Sequence, residues 1–195
     1  MKKLLITGFD PFGGATVNPS WEAVKLLPDQ IGDWHLTKIE IPTVYGLAAQ
    51  TILQVAQELH PDAILCVGQA GGRVAITPEV YGVNLRHARI ADNAGNRPLA
   101  VPIGQSAHAS YTTTLPVNNI VQEVRSAGLP CRLSYSAGRF VCNDLLYTLL
   151  HHYRGTNTKV GFIHVPYLPE QAKEGQSSML LDDIVNALAC AINAI

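Results

Sequence analysis

A cysteine and a histidine are the residues of this sequence best suited to nucleophilic chemistry. Cys142 follows the turn-forming segment 136–141 and precedes an apolar run that begins at Leu145. This pattern predicts a turn that leads into a helix, with Cys142 at its start. Unpaired N–H groups and a partial positive charge at a helix start favour the thiolate form, which attacks carbonyl carbons. Packing in the core is an equally common role for a free cysteine.

His164 interrupts the apolar run 160–165, which is typical of a buried strand. A buried imidazole needs hydrogen-bonding partners, and near a strand end it can act as the base for a thiol. The six other histidines lie on predicted helices or near polar segments, where surface or structural roles are common. For His164 itself, a neutral core histidine with one hydrogen bond is the alternative.

Glu79 is a candidate for the group that orients the imidazole. A carboxylate that accepts a hydrogen bond from the ring selects one tautomer and stabilises the imidazolium. Glu79 directly follows Pro78, and a glutamate in that setting is usually exposed. The residues alone therefore favour an ordinary surface glutamate.

Two glycine-rich loops follow predicted strands, at residues 8–14 and 68–72. Such loops can bind phosphate, but neither matches the phosphate-loop or dinucleotide-binding motif. Phe9 and Phe12 in the first loop indicate an apolar slot for a flat ring. Their alternative role is to anchor the loop in the core.

Strand-like and helix-like segments alternate along most of the chain. The predicted strands are Lys3–Thr7, Trp34–Ile41, Ala63–Val67, Cys131–Tyr135 and Lys159–Val165. The predicted helices are one opening at Asn18 and Pro19, then Tyr45–Leu59, Val117–Ala127, Asn143–Tyr153 and Ser178–Ala194. Residues 73–106 interrupt this rhythm with the short strand-like pieces 74–76, 80–85 and 88–90, and predict an excursion at a sheet edge.

This alternation predicts an α/β fold of three layers, a mostly parallel twisted sheet with helices on both faces. Ligands of such sheets bind beyond the carboxyl ends of the strands. The segments after Thr7, after Gly68, before Cys142 and at His164 all fall at those ends. We therefore expect them to converge on one edge.

The composition narrows the possible functions. The chain has 195 residues, of which 47% are hydrophobic and 15% charged, and a formal net charge of −1. These values predict one globular domain over 1–195, and they argue against electrostatic binding to nucleic acid or to a membrane. The four cysteines lack CxxC spacing, so neither a zinc site nor a redox motif is predicted. The N-terminus lacks a secretory pattern, which makes the cytoplasm the expected location.

Taken together, the motifs resemble the type I pyroglutamyl peptidases, a family of cysteine peptidases also called pyrrolidone-carboxylate peptidases. The resemblance covers nearly the whole chain. It is carried in order by GFDPFGG, NPSWE, IPTVYG, GQAGGR, ITPE, NLRHARIADNAGNRP, SAGRFVCN and GFIHVPYLPEQ.

The resemblance implies a function and a set of site residues. The activity would be hydrolysis of the bond after an N-terminal pyroglutamate of peptides, through a thioester intermediate and without a cofactor. The fold would be phosphorylase/hydrolase-like. The protein would form a homo-oligomer, often a tetramer. The catalytic residues would be Cys142, His164 and Glu79, with Arg89 supporting the oxyanion. The substrate pocket would be formed by Phe9, Phe12, Asn18, Gln69 and Val141, with Thr43 and Phe140 close by.

The chain departs from the family pattern at residues 80–83, where the family commonly has Arg-Val-Ala-Ile, and also at Arg139 and Asp144. Two other functional classes stay open at this point. One is a phosphate- or nucleotide-binding protein of phosphorylase type that uses Gly13-Gly14 or Gly71-Gly72. The other is a non-catalytic protein that binds modified N-termini.

Overall fold

Four parallel strands form the centre of a six-stranded sheet in the computed structural model, which describes residues 1–195. The strand order is β2-β3-β1-β4-β8-β5, and the two edge strands run antiparallel to their neighbours. Strands β6 and β7 pair separately as a small antiparallel ribbon. The strands are β1 (Lys2–Phe9), β2 (Gln30–Ile31), β3 (Trp34–Ile41), β4 (Ala63–Gln69), β5 (Thr77–Pro78), β6 (Tyr81–Val83), β7 (Ser110–Thr112) and β8 (Lys159–Val165).

Five helices cover the two faces of the sheet. They are α1 (Pro19–Leu26), α2 (Leu47–Leu59), α3 (Val117–Ser126), α4 (Val141–His152) and α5 (Leu181–Asn193). Side chains alternate along β1, so Leu4 and Ile6 pack with α1, α3 and α5, while Leu5 packs with α2 and α4. The predicted three-layer α/β architecture with a mostly parallel sheet is therefore confirmed. None of the five helices has both the length and the apolar character needed to cross a membrane.

The central strands end at the same edge of the sheet. In the register of β4 and β8, Gly68 lies beside His164 and Gln69 beside Val165. Strand β1 ends at Phe9, next to β4. This arrangement brings the loop after β1, the loop after β4 and the end of β8 together above the sheet, as the strand pattern predicted.

Helix α1 begins where the sequence predicted, because its start is specified locally. The Asn18 side chain accepts hydrogen bonds from the backbone N–H of Ser20 (3.1 Å) and from the Ser20 hydroxyl (2.8 Å), and Pro19 occupies the first helical position. Gly8 lets the helix approach β1 closely, since a Cβ there would lie 2.4 Å from the Cα of Trp21.

The predicted strand at Cys131–Tyr135 is wrong. This segment makes only isolated bridges, from Cys131 to Ile76 and from Ser134 to Glu79. Pro78 explains the interruption, because it has no N–H to continue the ladder between them. The excursion at 73–106 does lie at the sheet edge, and β6 falls within the predicted piece 80–85. The pieces 74–76 and 88–90 are not strands, and β5 and β7 were not predicted.

Candidate active site

A cavity of about 330 Å³ lies at the carboxyl ends of the central strands. We call it the strand-end cavity. It brings together most of the residues singled out from the sequence, which are Phe9, Phe12, Asn18, Gln69, Arg89, Cys142 and His164, together with Thr43 and Phe140. Segments far apart in the chain thus meet at one cavity.

Cys142 lies in the first turn of α4 and is partly buried. No side chain caps this helix, so the N–H groups of its first turn stay free for a ligand. Close packing surrounds the sulfur: a Cβ on Gly68 would lie 3.1 Å from Sγ and 2.6 Å from the ring of Phe162. The position of Cys142 at a helix start therefore agrees with the sequence pattern.

The expected lowering of the Cys142 pKa is wrong. Burial raises the pKa of the thiol to about 12, and the nearby negative charge of Glu79 acts in the same direction. Arg73 opposes this shift but does not overcome it. The resting thiol is consequently protonated at neutral pH, and a base must remove its proton for attack.

His164 has one ring nitrogen held by a carboxylate. Its Nδ1 lies 2.6 Å from Oε1 of Glu79, and the residue is 3% exposed, at the cavity. Burial lowers the pKa of His164 below its ordinary value, although the hydrogen bond and charge of Glu79 pull it upward. A neutral ring that donates from Nδ1 leaves Nε2 as the nitrogen able to accept a proton.

Glu79 is fully buried, so the exposed position favoured by the residues alone is wrong. Its backbone N–H donates to the carbonyl of Phe162 (2.8 Å), which fixes it beside β8. Burial by itself would raise the pKa of Glu79, but the hydrogen bond from His164 and the charges of His164 and Arg73 outweigh it, and the net pKa is lowered. The carboxylate is therefore ionised where it meets the imidazole.

Arg73 is the site residue that sequence reasoning missed. Its Nη1 donates to Oε1 of Glu79 (2.7 Å) and to the hydroxyl of Thr77, and its Nη2 donates to the carbonyl of Ser136 (3.2 Å). A buried carboxylate without a cation is strongly disfavoured, and Arg73 supplies that cation. Its position after two glycines, within the motif GQAGGR, was the only local signal.

Two further predicted residues have different outcomes. Arg89 is exposed and lines the strand-end cavity, where its guanidinium can reach a ligand. Val141, the first residue of α4, does not line the cavity, because its side chain is fully buried in the core that α4 forms with α2. A side-chain contact of Val141 with substrate is therefore not supported by the structure.

Apart from Arg73, Arg89, Cys142 and His164, the residues that line the cavity are aromatic, small or uncharged polar residues, and we call them the neutral wall. Phe12 and Phe140 pack at 5.9 Å between ring centroids. The carbonyl of Asp10 accepts from Asn18 Nδ2 (2.9 Å) and from the hydroxyl of Thr43 (3.2 Å), which ties the loop after β1 to the loop after β3. This wall is held by hydrogen bonds behind it and presents no ionised side chain of its own.

One departure from the family pattern has a clear structural role. Asp144 is buried, and its carboxylate accepts from Nε of Arg86 (2.6 Å) and from the backbone N–H of Gly46 (2.8 Å). These bonds join the start of α4, next to Cys142, to the start of α2. The departure at Gly82 also has a packing reason, since a Cβ there would lie 2.8 Å from the backbone nitrogen of Tyr147.

No group of three or more His, Cys, Asp or Glu side chains is arranged to hold a metal ion. A larger cavity of about 760 Å³ is lined by residues of α2 and α4 and contains none of the predicted site residues. The strand-end cavity is therefore where the chemistry of this chain is concentrated.

A thiol and an imidazole on one cavity of an α/β sheet, with a buried carboxylate bonded to the imidazole, define the class of cysteine hydrolases. A family model described as pyroglutamyl peptidase matches residues 2–195. The pyrrolidone-carboxylate peptidase of Staphylococcus carnosus is 48% identical over 99% of this chain and 92% of that protein. The chain belongs to the pyroglutamyl peptidase family of cysteine peptidases.

Solved structures agree with this assignment. The crystal structure of pyroglutamyl peptidase I from Bacillus amyloliquefaciens superposes with a TM-score of 0.94 at 47% identity, covering 98% of this chain and 95% of that one. The pyrrolidone carboxyl peptidase from Thermococcus litoralis has a TM-score of 0.94 at 36% identity, covering 100% and 93%. The resemblance found in the sequence motifs is thus confirmed over the full length of the chain.

Proposed function

We propose that this protein removes N-terminal pyroglutamate (5-oxoproline) from peptides, with Cys142 as nucleophile, His164 as base and Glu79 as the group that orients His164. The observation that carries the proposal is the strand-end cavity, which holds Cys142 and the His164–Glu79 pair beside a neutral aromatic wall. Membership of the family supports the same reaction.

The first step is attack by sulfur on the pyroglutamyl carbonyl carbon. Since the thiol is protonated at rest, its proton moves to Nε2 of His164 as the C–S bond forms. Glu79 stabilises the resulting imidazolium through Nδ1, and Arg73 keeps Glu79 ionised. The lowered pKa of His164 suits this role, because the ring is neutral and ready to accept a proton.

Negative charge develops on the carbonyl oxygen during attack. Free N–H groups in the first turn of α4 lie next to Cys142, and Arg89 lines the same cavity. Donors of this kind lower the barrier by about 3 kcal/mol each in comparable sites. We assign the first turn of α4 and Arg89 to this oxygen.

The second half of the reaction reverses the proton transfer. The imidazolium donates its proton to the departing amine, the C–N bond breaks, and a thioester to Cys142 remains. Water then gives a proton to His164 and attacks the thioester carbonyl. Pyroglutamate leaves, and the sulfur recovers its proton from the imidazolium.

Recognition follows from the neutral wall. Pyroglutamate has no ammonium group, so Phe9 and Phe12 can enclose the ring without desolvating a charge. The lactam N–H and C=O need polar partners, and groups at Gln69 and Asn18 are the candidates in the cavity. Proline has the same shape without the lactam carbonyl, which leaves a donor unpaired, and such a loss can discriminate by several powers of ten.

The phosphate-binding alternative gains no support at Gly13-Gly14. The cavity beside Gly13 and Gly14 has no Lys, Arg or His in its lining and does contain Glu170. A carboxylate there opposes anion binding.

The reaction is tested with a pyroglutamyl amide that releases a fluorophore, and with the matching prolyl amide. We expect turnover of the first only, and a loss of at least about a thousandfold in Cys142→Ala. Cys190→Ala is the matched control, because Cys190 is also partly buried but lies on α5, where it packs against the core formed with α1 and α3. Retained turnover in Cys142→Ala with an unchanged circular dichroism spectrum would show that Cys142 is not the nucleophile.

We also propose that residues 1–195 act as one domain and assemble as a homo-oligomer, with a tetramer as the expected state. The large apolar side chains of Val74 and Tyr135 are more than half exposed, and a subunit contact would cover them. Sedimentation velocity should give a multiple of the 21.0 kDa chain mass. A single species at the chain mass at micromolar concentration would contradict the assembly.

A cytoplasmic location is the accompanying proposal. All four cysteines are free, including the partly buried Cys142 and Cys190, and free thiols persist where the surroundings are reducing. Fractionation of expressing cells should place the activity with cytoplasmic markers, and recovery from the medium or an oxidising compartment would contradict it.

A further inference from the structure

A second cavity, of about 460 Å³, adjoins the strand-end cavity. We call it the outer cavity. Phe12 and Gln69 line both cavities, so these two residues form a shared partition. The loop 12–17 forms one side of the outer cavity, and the segment after β8 forms the other. Its volume falls within the range of small-ligand sites, about 300–1,000 Å³.

The chemistry of the reaction indicates which way the leaving peptide runs. His164 must donate a proton to the departing amine, so the residues after pyroglutamate pass the end of β8. Tyr167 comes three residues after His164 and lines the outer cavity. Its ring packs directly over Gly71, where a Cβ would lie 2.1 Å from the ring. A chain that leaves His164 along this segment enters the outer cavity.

The partition between the cavities is held in place by Gln171. Its Nε2 donates to Oε1 of Gln69 (3.1 Å) and to the carbonyl of Val17 (3.0 Å), and its Oε1 accepts from the backbone N–H of Leu168 (3.1 Å). These bonds tie β4, the loop after β1 and the segment after β8 together. The outer cavity therefore has defined walls.

Charge in the outer cavity is one-sided. Glu170 is its only acidic lining residue, and no Lys, Arg or His lies there. The cations near the reaction, Arg73 and Arg89, line the strand-end cavity instead. The carboxylate of Glu170 therefore attracts a positively charged group in the outer cavity and repels a negatively charged one.

We propose that the outer cavity binds the first two residues of the leaving peptide, and that Glu170 selects substrates with a basic side chain at one of them. This inference rests on the proposed peptidase function and specifies its substrate class. Glu170 touches the leaving chain without taking part in bond breaking, so it affects the choice between substrates rather than the chemistry.

The test compares peptides that differ only after pyroglutamate. In two sets, Lys, Gln or Glu occupies either the first or the second leaving position, with neutral residues elsewhere and an amidated C-terminus. In at least one set, kcat/KM should fall in the order Lys, Gln, Glu, by about two- to fivefold per step, which is the range of an exposed ion pair. The preference should shrink as ionic strength rises, because salt screens exposed charges.

Two variants locate the charge. Glu170→Gln should abolish the order of kcat/KM among the Lys, Gln and Glu peptides. Glu174→Gln makes the same change in net charge four residues further on, outside the lining of the outer cavity, and should keep the order.

Equal kcat/KM for the three peptides in both sets, or equal effects of the two variants, would overturn the inference while turnover of the pyroglutamyl amide keeps the peptidase function intact. Failure to cleave that amide at all would remove both.

Discussion

The two walls of the strand-end cavity are built on opposite principles. One wall carries buried charge, with Glu79 between Arg73 and His164. The other is neutral, with Phe9 and Phe12 in front of a loop network centred on Asp10. Burial makes each unpaired charge strongly unfavourable, so the first wall depends on complete pairing. The second depends on shape and on hydrogen bonds that are individually weaker.

This difference separates chemistry from recognition. The charged wall sets protonation states, because the pKa of both Glu79 and His164 is displaced by burial and by mutual contact. The neutral wall matches a substrate end that has lost its charged amine. Substitutions on the first wall should therefore act mainly on kcat and on the pH profile, and those behind the second mainly on KM.

The largest of the following effects is expected for Glu79→Gln. The amide removes the charge that stabilises the imidazolium and permits the wrong tautomer of His164, and a comparable change in a serine protease lowers kcat by about ten-thousandfold. We expect a loss of about a thousandfold or more in kcat, with a smaller change in KM, measured on the pyroglutamyl amide. Glu174→Gln serves as control. A loss of less than tenfold would show that Glu79 acts structurally only.

Arg73→Met should have an intermediate effect on activity and a clear effect on acid stability. A carboxyl whose pKa is lower in the folded state, as for Glu79, stabilises the fold above the ordinary pKa of glutamate, about 4.3, and that contribution is lost as pH falls through the lowered value. Without Arg73 the pKa of Glu79 rises, so the loss begins at higher pH. We also expect a destabilisation of about 2 kcal/mol at neutral pH from the lost charged hydrogen bonds.

Thermal unfolding followed from pH 7 to pH 3 measures this shift, with Arg132→Met as control, because the Arg132 side chain is exposed. An acid transition at the same pH in Arg73→Met and in the unmodified protein would contradict the assignment of Arg73 as the partner that keeps Glu79 ionised.

The smallest of these effects is expected for Gln171→Ala, which acts behind the neutral wall. Losing its bonds to Gln69 and Val17 loosens the loop that meets the lactam, and one hydrogen bond of about 1 kcal/mol corresponds to about fivefold. KM for the pyroglutamyl amide should rise by about that factor while kcat changes little.

Gln176→Ala is the control for Gln171→Ala, since Gln176 makes the same local bond, to the backbone of Lys173, without contacting Gln69. Equal KM values for the two variants, or a fall in kcat alone, would show that Gln171 does not position the recognition loop.

Much of the fold could be predicted because its signals are local. Strand Trp34–Ile41 and strand Lys159–Val165 have the predicted bounds, and the cap at Asn18 starts α1 as expected. The prediction of a strand at Cys131–Tyr135 was wrong because the neighbouring segment has Pro78, which has no N–H for the backbone hydrogen bond that would continue the ladder. The prediction of a lowered pKa for Cys142 was wrong for a related reason. A helix start is visible in the sequence, but the packing of Gly68 and Phe162 around the sulfur is not.

The sequence by itself determined the order of the four central strands and the five helices, the helix start that carries Cys142 and the strand end that carries His164, because periodicity and capping act between near neighbours. Only the tertiary structure decided that Glu79 is buried against His164, 85 residues away, and that Arg73 completes the pair. Burial of a charge depends on everything that excludes water from it. That property belongs to the assembled layers and to no single segment of the chain.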